Sequence, residues 1–391
     1  MISITNFREG AVLNRHHGVE SGKSLTVAIE GLNSFGTPVK VNGVPAEQNG
    51  LSFKAEIELT SKINKVEAVT VTPYGEFSQK LTLVWDKNSF RRCRFYIDDH
   101  SFLFSDLAKE KPSRAFDHFY LKQLKKLHER YGLKVILNSF YRNDHEEFLL
   151  KDMPDIWKSE FEENSHWLKF SLHSYSEFPD RPYADASRKQ FLQDYELLKR
   201  EIQRFAGNSA FIVPNVLHWA NISPGVADEL IKLGSRCYAE SMRTRVMSTP
   251  PEEELTEKER QEEFRSEVYV SPCAPLARHY GFTEEIDYLD KHSAVYDPGL
   301  GIFFYHDWII TNLLTAEQLP RLFKQTLAKA DKYGCDIFSA SSHEQYAFPR
   351  YFNYQPDHFA KLEEALRLMV EEAGCTPVFF QEGLLGNTSW E

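Results

Sequence analysis

The chain reads as an α/β protein: a small antiparallel β-sandwich followed by a barrel of alternating strands and helices. Three observations carry that expectation. The first 88 residues hold short segments of alternating polar and apolar residues with no helical period. From Phe90 onward the pattern turns to strand, helix, strand. The polar residues of this second part collect where the predicted strands end, the edge on which parallel α/β folds gather ligands.

Within residues 1–88, the segments 24–29, 38–41, 51–59, 65–71 and 77–85 read as strands. Leu51, Phe53, Ala55, Ile57 and Leu59 share one face of the third, and Asn42-Gly43 is a hairpin-type turn. Strands at this spacing predict an immunoglobulin-like sandwich, with the junction at 86–89. Such a domain can bind carbohydrate, brace its neighbour or join two copies in a homo-oligomer, and the sequence leaves these open.

In residues 89–391 the first strand is 95–97. Phe116, Tyr120, Leu124, Leu127 and Tyr131 then line one helical face, and Gly132 stops that helix. Strands follow at 134–138 and 168–172. Phe191, Tyr195, Leu198, Ile202 and Phe205 form a second helical face that ends at Gly207. A strand at 210–214 and a helix at 226–233 come next, then a strand at 302–306. Thr315 and Gln318 make a capping box for a helix toward Ala330. A strand at 336–340, a helix at 357–372 and a strand at 377–380 complete the pattern. The proline-led acidic segment 250–263 reads as solvated chain.

A formal charge of -11 argues against nucleic acid as a partner. No apolar run reaches the ~18 residues that span a bilayer, and no signal-peptide pattern opens the chain. The five cysteines are scattered and form no CxxC pair, which fits free thiols in a reducing compartment. The expectation is a cytoplasmic protein, secreted only if Met1 is not the natural start. Aromatic residues make up 14%, a share that suits either sugar-stacking platforms or Phe-rich cores.

The chemistry-bearing stretches sit at strand ends. Asp98 and Asp99 close the first barrel strand; two carboxylates there can divide metal binding from proton transfer. His173 and Glu177 are four apart, a spacing that suits two ligands of one ion. One Asp, one His and one Glu fit Zn²⁺, and also Fe²⁺, Co²⁺, Ni²⁺ or Mn²⁺. His306-Asp307-Trp308 and His343 close two later strands.

Tyr96-Ile97-Asp98-Asp99 resembles the first motif of the polysaccharide deacetylases, and His173-Ser174-Tyr175-Ser176-Glu177 resembles their second. The family has an irregular (β/α) barrel and belongs with the glycoside hydrolase/deacetylase superfamily. The resemblance runs from about Phe90 to the C-terminus. It implies a metal-dependent hydrolase that removes N- or O-linked acetyl groups from a carbohydrate. By it Asp98 is the general base and His343 the general acid, while Asp99, His173 and Glu177 hold the metal, zinc first. Asp307 matches, more loosely, the acid that orients one of them. His218, Trp219, Trp308 and Tyr346 are expected to meet the sugar. Two positions depart from the family pattern: His100 stands for glycine, and Glu177 for the second metal histidine. Two other readings stay open: a glycoside hydrolase on the same barrel using Asp98 and Asp307, and a non-catalytic carbohydrate-binding protein.

Overall fold

The computed structural model describes residues 1–220, 222–240, 288–289, 291–307 and 309–391. Trp308, Cys273 and the segment 250–263 lie outside the described residues. The fold is mixed α/β with several sheets, and the chain divides into two compact units. Among the described residues no helix is long and apolar enough to cross a membrane.

The first unit comprises Met1–Phe90, Ala294–Phe304 and Glu382–Glu391. The strands of its N-terminal part are β1 (Ile2–Ile4), β2 (Val12–Leu13), β3 (Val19–Glu20), β4 (Leu25–Asn33), β5 (Val39–Val41), β6 (Val44–Pro45), β7 (Glu47–Asn49), β8 (Ser52–Leu59), β9 (Ile63–Thr72) and β10 (Gly75–Trp85), and a further short strand is Ala294–Asp297. One sheet runs β1-β4-β8-β7 with β3 on β4; the other runs β2-β10-β9-β5-β6. Along β8 every second residue is buried, so Phe53, Ala55, Ile57 and Leu59 face inward. Leu51 leaves that row, because it sits in the turn before the strand and is exposed.

Two later segments belong to this unit for identifiable reasons. The Gly10 carbonyl accepts the Tyr296 N–H at 2.9 Å, and a Cβ on Gly10 would lie 1.8 Å from the Tyr296 oxygen. Only glycine allows that approach. At the C-terminus the Trp390 indole meets Trp85 edge-on and donates to its carbonyl at 2.8 Å, while Asn387 Nδ2 donates to Asp86. Contacts this distant in sequence leave no local pattern.

The second unit comprises Arg91–Ser293 and Tyr305–Gln381. In chain order its main elements are β11 (Arg92–His100), α1 (Phe102–Glu110), α2 (Phe119–Tyr131), β12 (Val135–Phe140), α3 (Lys158–Asn164), β13 (Leu168–Ser174), α4 (Arg188–Ala206), α5 (Pro224–Lys232), β14 (Ile309–Ile310), α6 (Gln318–Tyr333), β15 (Ile337–His343), α7 (His358–Arg367) and β16 (Thr376–Pro377). The sheet order is β13-β12-β11-β15-β14, with β16 also on β11, and every pair is parallel. β11 is buried along its whole length, as a parallel strand covered on both faces must be. Parallel pairing puts all the C-terminal strand ends on one edge. Asp98–Asp99, His173 and His343 therefore emerge side by side, and Asp98 is the direct register partner of His343.

The helices end and begin as their residues dictate. Gly132 and Gly334 adopt the left-handed conformation that closes α2 and α6. Thr315 and Gln318 exchange two hydrogen bonds at 2.9 and 3.2 Å, a complete capping box. Three expectations change. Residues 210–214 form a single bridge, Phe211 to Phe170, because Pro214 has no N–H to extend a ladder. The helix expected over 357–372 is α-helical to Arg367 and then widens into a π-turn, Leu368–Glu372. The last strand is only Thr376–Pro377, with one further bond from Val378 N–H to the Cys93 carbonyl.

Candidate functional site

β11 alternates in the usual way through Ile97, then breaks. Its register with β12 shifts between Ile97 and His100, and Asp99 takes a positive φ of 67°. Aspartate is one of the few non-glycine residues that tolerates this region. The bulge turns two successive carboxylates toward the same neighbours, which a regular strand would send to opposite faces.

Asp99, His173 and His218 form a tight buried triangle. Asp99 Oδ1 lies 3.3 Å from His173 Nε2 and 3.5 Å from His218 Nδ1, and the two imidazole nitrogens are 3.1 Å apart. The outer nitrogens of both rings face acceptors. His218 Nε2 lies 3.1 Å from the Glu177 carbonyl, and His173 Nδ1 lies 3.8 Å from Asp98 Oδ1. The outer nitrogen of His218 is thus held by an oxygen, as a metal-ligating histidine is, whereas His173 Nδ1 stands too far from Asp98 for a hydrogen bond and is buried without one. The three inner atoms lie within 3.5 Å of one another, close enough to be shared by one ion. Asp99 Oδ1 makes no direct hydrogen bond although it is buried. The donor set therefore fits a divalent cation of the borderline class.

The charges agree with this arrangement. Burial works to raise the Asp99 carboxyl, but the His173 ring 3.3 Å away and the nearby His343 and His218 rings hold it below the usual carboxylate range. Burial alone would lower His173; the charges of Asp98 and Asp99 lift it above the ordinary imidazole value. The same two charges that favour a proton there favour a cation. Burial drops His218 to about 3, so its ring is neutral at physiological pH, the form in which imidazole binds metal.

Glu177 stands outside the triangle. Its carboxylate is held by His145 Nε2 at 2.5 Å and by Gln345 Nε2 at 2.8 Å. It serves the cluster through its backbone carbonyl, which orients His218. After β13 the chain leaves regular structure, so His173 and Glu177 do not stack as on a helix, and the Glu177 carboxylate is not a corner of the triangle. His218, expected to meet the sugar, is instead the third corner.

Asp98 lies beside the triangle. Its Oδ1 accepts from Asn138 Nδ2 at 2.7 Å. Burial raises its carboxyl, opposed in part by His173 and His343. His343 is half-buried, and its Nδ1 lies 2.9 Å from Asn312 Oδ1. Asp307 sits deeper. Its carboxylate accepts from the Tyr96 and Ser339 hydroxyls, two and four residues before Asp98 and His343 on their strands. Burial raises the Asp307 carboxyl to about 6, with the Arg94 guanidinium opposing. Arg94 stacks 3.8 Å from the Tyr96 ring and donates to Asn215. Trp219, beside His218, is exposed beneath the Arg181 guanidinium. Tyr346 packs 6.2 Å from His343 and 5.4 Å from Tyr351.

Several residues of this site carried no local signal: His145, Asn138, Arg94, Asn312 and the place of His218 in the triangle. His218 lies 45 residues from His173, and only the fold joins them.

No family model matches the chain, and no curated protein matches it. Among solved structures, a protein of Bacteroides fragilis NCTC 9343 described as a putative alpha-galactosidase aligns over 98% of this chain and 79% of its own. The identity is 11% and the TM-score 0.29, too low to bear on fold or function.

Proposed function

We propose that the second unit is a metal-dependent hydrolase that removes acetyl groups from a carbohydrate. The observation that carries the hydrolytic reading is the Asp99–His173–His218 triangle with a separate buried carboxylate and a separate imidazole beside it. The acetyl and sugar parts rest on the resemblance of Tyr96–Asp99 and His173–Glu177 to the deacetylase motifs. On this reading the parallel sheet is part of the family's irregular barrel, and the first unit is an accessory or interface domain.

Asp99, His173 and His218 would hold the ion, zinc being the first choice. A divalent ion there would supply Lewis acidity to an acyl carbonyl and acidity to a water. Asp98 takes the proton of the attacking water; its burial-raised pKa makes it a stronger base than a surface carboxylate. Asn138 keeps the Asp98 oxygen aimed. His343 gives a proton to the departing amine or alkoxide. Asp307, with both oxygens engaged by hydroxyls, supports the strands beneath. Trp219 and Tyr346 offer aromatic surface to the sugar.

Metal analysis of the purified protein, paired with acetate release from acetylated oligosaccharides, tests the reading. Asp98→Asn should lower kcat by about 10²- to 10⁴-fold while metal content stays unchanged. A fully active Asp98→Asn protein would remove Asp98 from the reaction. The pH profile gives a second check. Activity needs ionised Asp98, so it rises with pH through that pKa. Asn138→Leu deletes the hydrogen bond that lowers it, and the acid limb of kcat/KM should move up by about one pH unit. An unmoved limb would detach Asn138 from the base.

A further inference from the structure

The pairing of His343 with Asn312 decides how that imidazole works. Asn312 lies on the short 3-10 turn Thr311–Leu313 that follows β14, next to the end of β15. The turn is pinned from three sides. Thr311 Oγ1 bonds the Ser341 carbonyl at 3.3 Å, Gln355 Nε2 donates to the Asn312 carbonyl at 2.9 Å, and Lys361 Nζ donates to the Leu314 carbonyl at 3.2 Å. Lys361 and Asn312 are both buried. These bonds fix the backbone from which the Asn312 amide projects; within the amide, Nδ2 is buried without a direct hydrogen-bond partner, and Oδ1 makes the side-chain contacts.

The Asn312 oxygen faces His343 Nδ1 at 2.9 Å and also receives the Ser342 hydroxyl at 3.4 Å. An oxygen beside Nδ1 requires the proton on Nδ1. We propose that Asn312 is the positioning residue of His343: it locks the Nδ1–H tautomer and leaves the Nε2 lone pair free at the mouth of the site. This inference rests on the hydrolase reading only for what Nε2 then does.

The consequence is chemical. With Nδ1 committed to Asn312, every proton that His343 exchanges with a reacting group passes through Nε2. Because the partner is a neutral amide, the ring gains orientation from it without the added charge of a carboxylate. Nothing in the spacing of residues 312 and 343 announces the pair; β14 and β15 bring them together as parallel neighbours.

The experiment reads the tautomer directly. Two-bond proton–nitrogen correlation spectra of the ¹⁵N-labelled full-length protein are recorded at about pH 8.5, above the ordinary imidazole range. His343→Gln assigns the signals by their loss. The expected result is a protonated-type shift for Nδ1 and an unprotonated-type shift for Nε2. Asn312→Leu should collapse the two toward the average of exchanging tautomers, and Asn312→Asp should restore the separation. A wild-type Nε2–H tautomer, or spectra that Asn312→Leu leaves unchanged, would overturn the proposal. These spectra need no turnover, so they decide it even if no acetate is ever released. Where acetate is released, Asn312→Leu should lower kcat by about 10- to 100-fold with KM little changed, and Asn312→Asp should recover most of the loss. Equal loss in both variants would also count against it.

Discussion

On the proposed metal site, replacing His218 with alanine should abolish metal binding, while Glu177→Gln should leave it intact. His218 supplies one of the three inner atoms of the triangle, at 3.1 Å and 3.5 Å from the other two. Its loss leaves two donors and a space, so affinity should fall by more than the roughly 10- to 100-fold that outer-shell changes cost. Glu177 contributes a main-chain carbonyl, which glutamine retains, and its carboxylate is occupied by His145 and Gln345. Metal content after dialysis and competition with a chromogenic chelator would measure both variants. The opposite outcome, metal lost from Glu177→Gln and kept by His218→Ala, would restore the ligand set that residue spacing alone suggests.

Glu344→Ala should cost about 3–5 kcal/mol of stability in the second unit. Glu344 is fully buried and accepts three backbone N–H groups, from Ser101 at 2.7 Å, Phe102 at 2.9 Å and Leu103 at 2.7 Å. These are the orphan donors at the start of α1, which has no side-chain cap of its own. Alanine leaves all three unsatisfied in the interior. The loss should appear as a lower urea midpoint in whichever transition reports the second unit, with an unchanged slope. An unshifted midpoint would mean that water replaces the carboxylate at no cost.

The same residue gives a pH signature. Burial pushes the Glu344 carboxyl up to about 8 even against its three donors. The folded chain then holds a proton between pH ~4.5 and ~8 that the unfolded chain releases, so stability from this group falls as pH rises through that window. Glutamine cannot titrate. The stability of wild type minus that of Glu344→Gln should therefore fall by up to about 1.4 kcal/mol per pH unit across the window. A flat difference would show Glu344 to be ionised throughout.

Much of the fold was legible because its signals are local. The alternation of β8, the apolar faces of α2 and α4, the glycine stops and the Thr315–Gln318 box all act within a few residues. α1 was missed for the converse reason. Its start is capped by Glu344, more than two hundred residues away, a contact that no local pattern announces. The strand expected at 210–214 failed because apolar character marks burial, whereas a ladder also needs N–H groups on a paired edge.

At the candidate site, the sequence by itself determined that acidic and imidazole side chains would stand at strand ends: Asp98 and Asp99, His173, His343. Parallel pairing then obliges those ends to share one edge. Only the tertiary structure decided which of them meet. It placed His218 rather than the Glu177 carboxylate beside Asp99, set Asp307 under Tyr96 and Ser339, and gave His343 an amide partner. The physical reason is the reach of the two kinds of information. Residue type and periodicity fix which groups an element exposes and where it ends. Whether two groups then lie 3 Å or 10 Å apart depends on bulges, turns and crossovers, such as the positive φ of Asp99 and the turn at His218, which long-range packing selects.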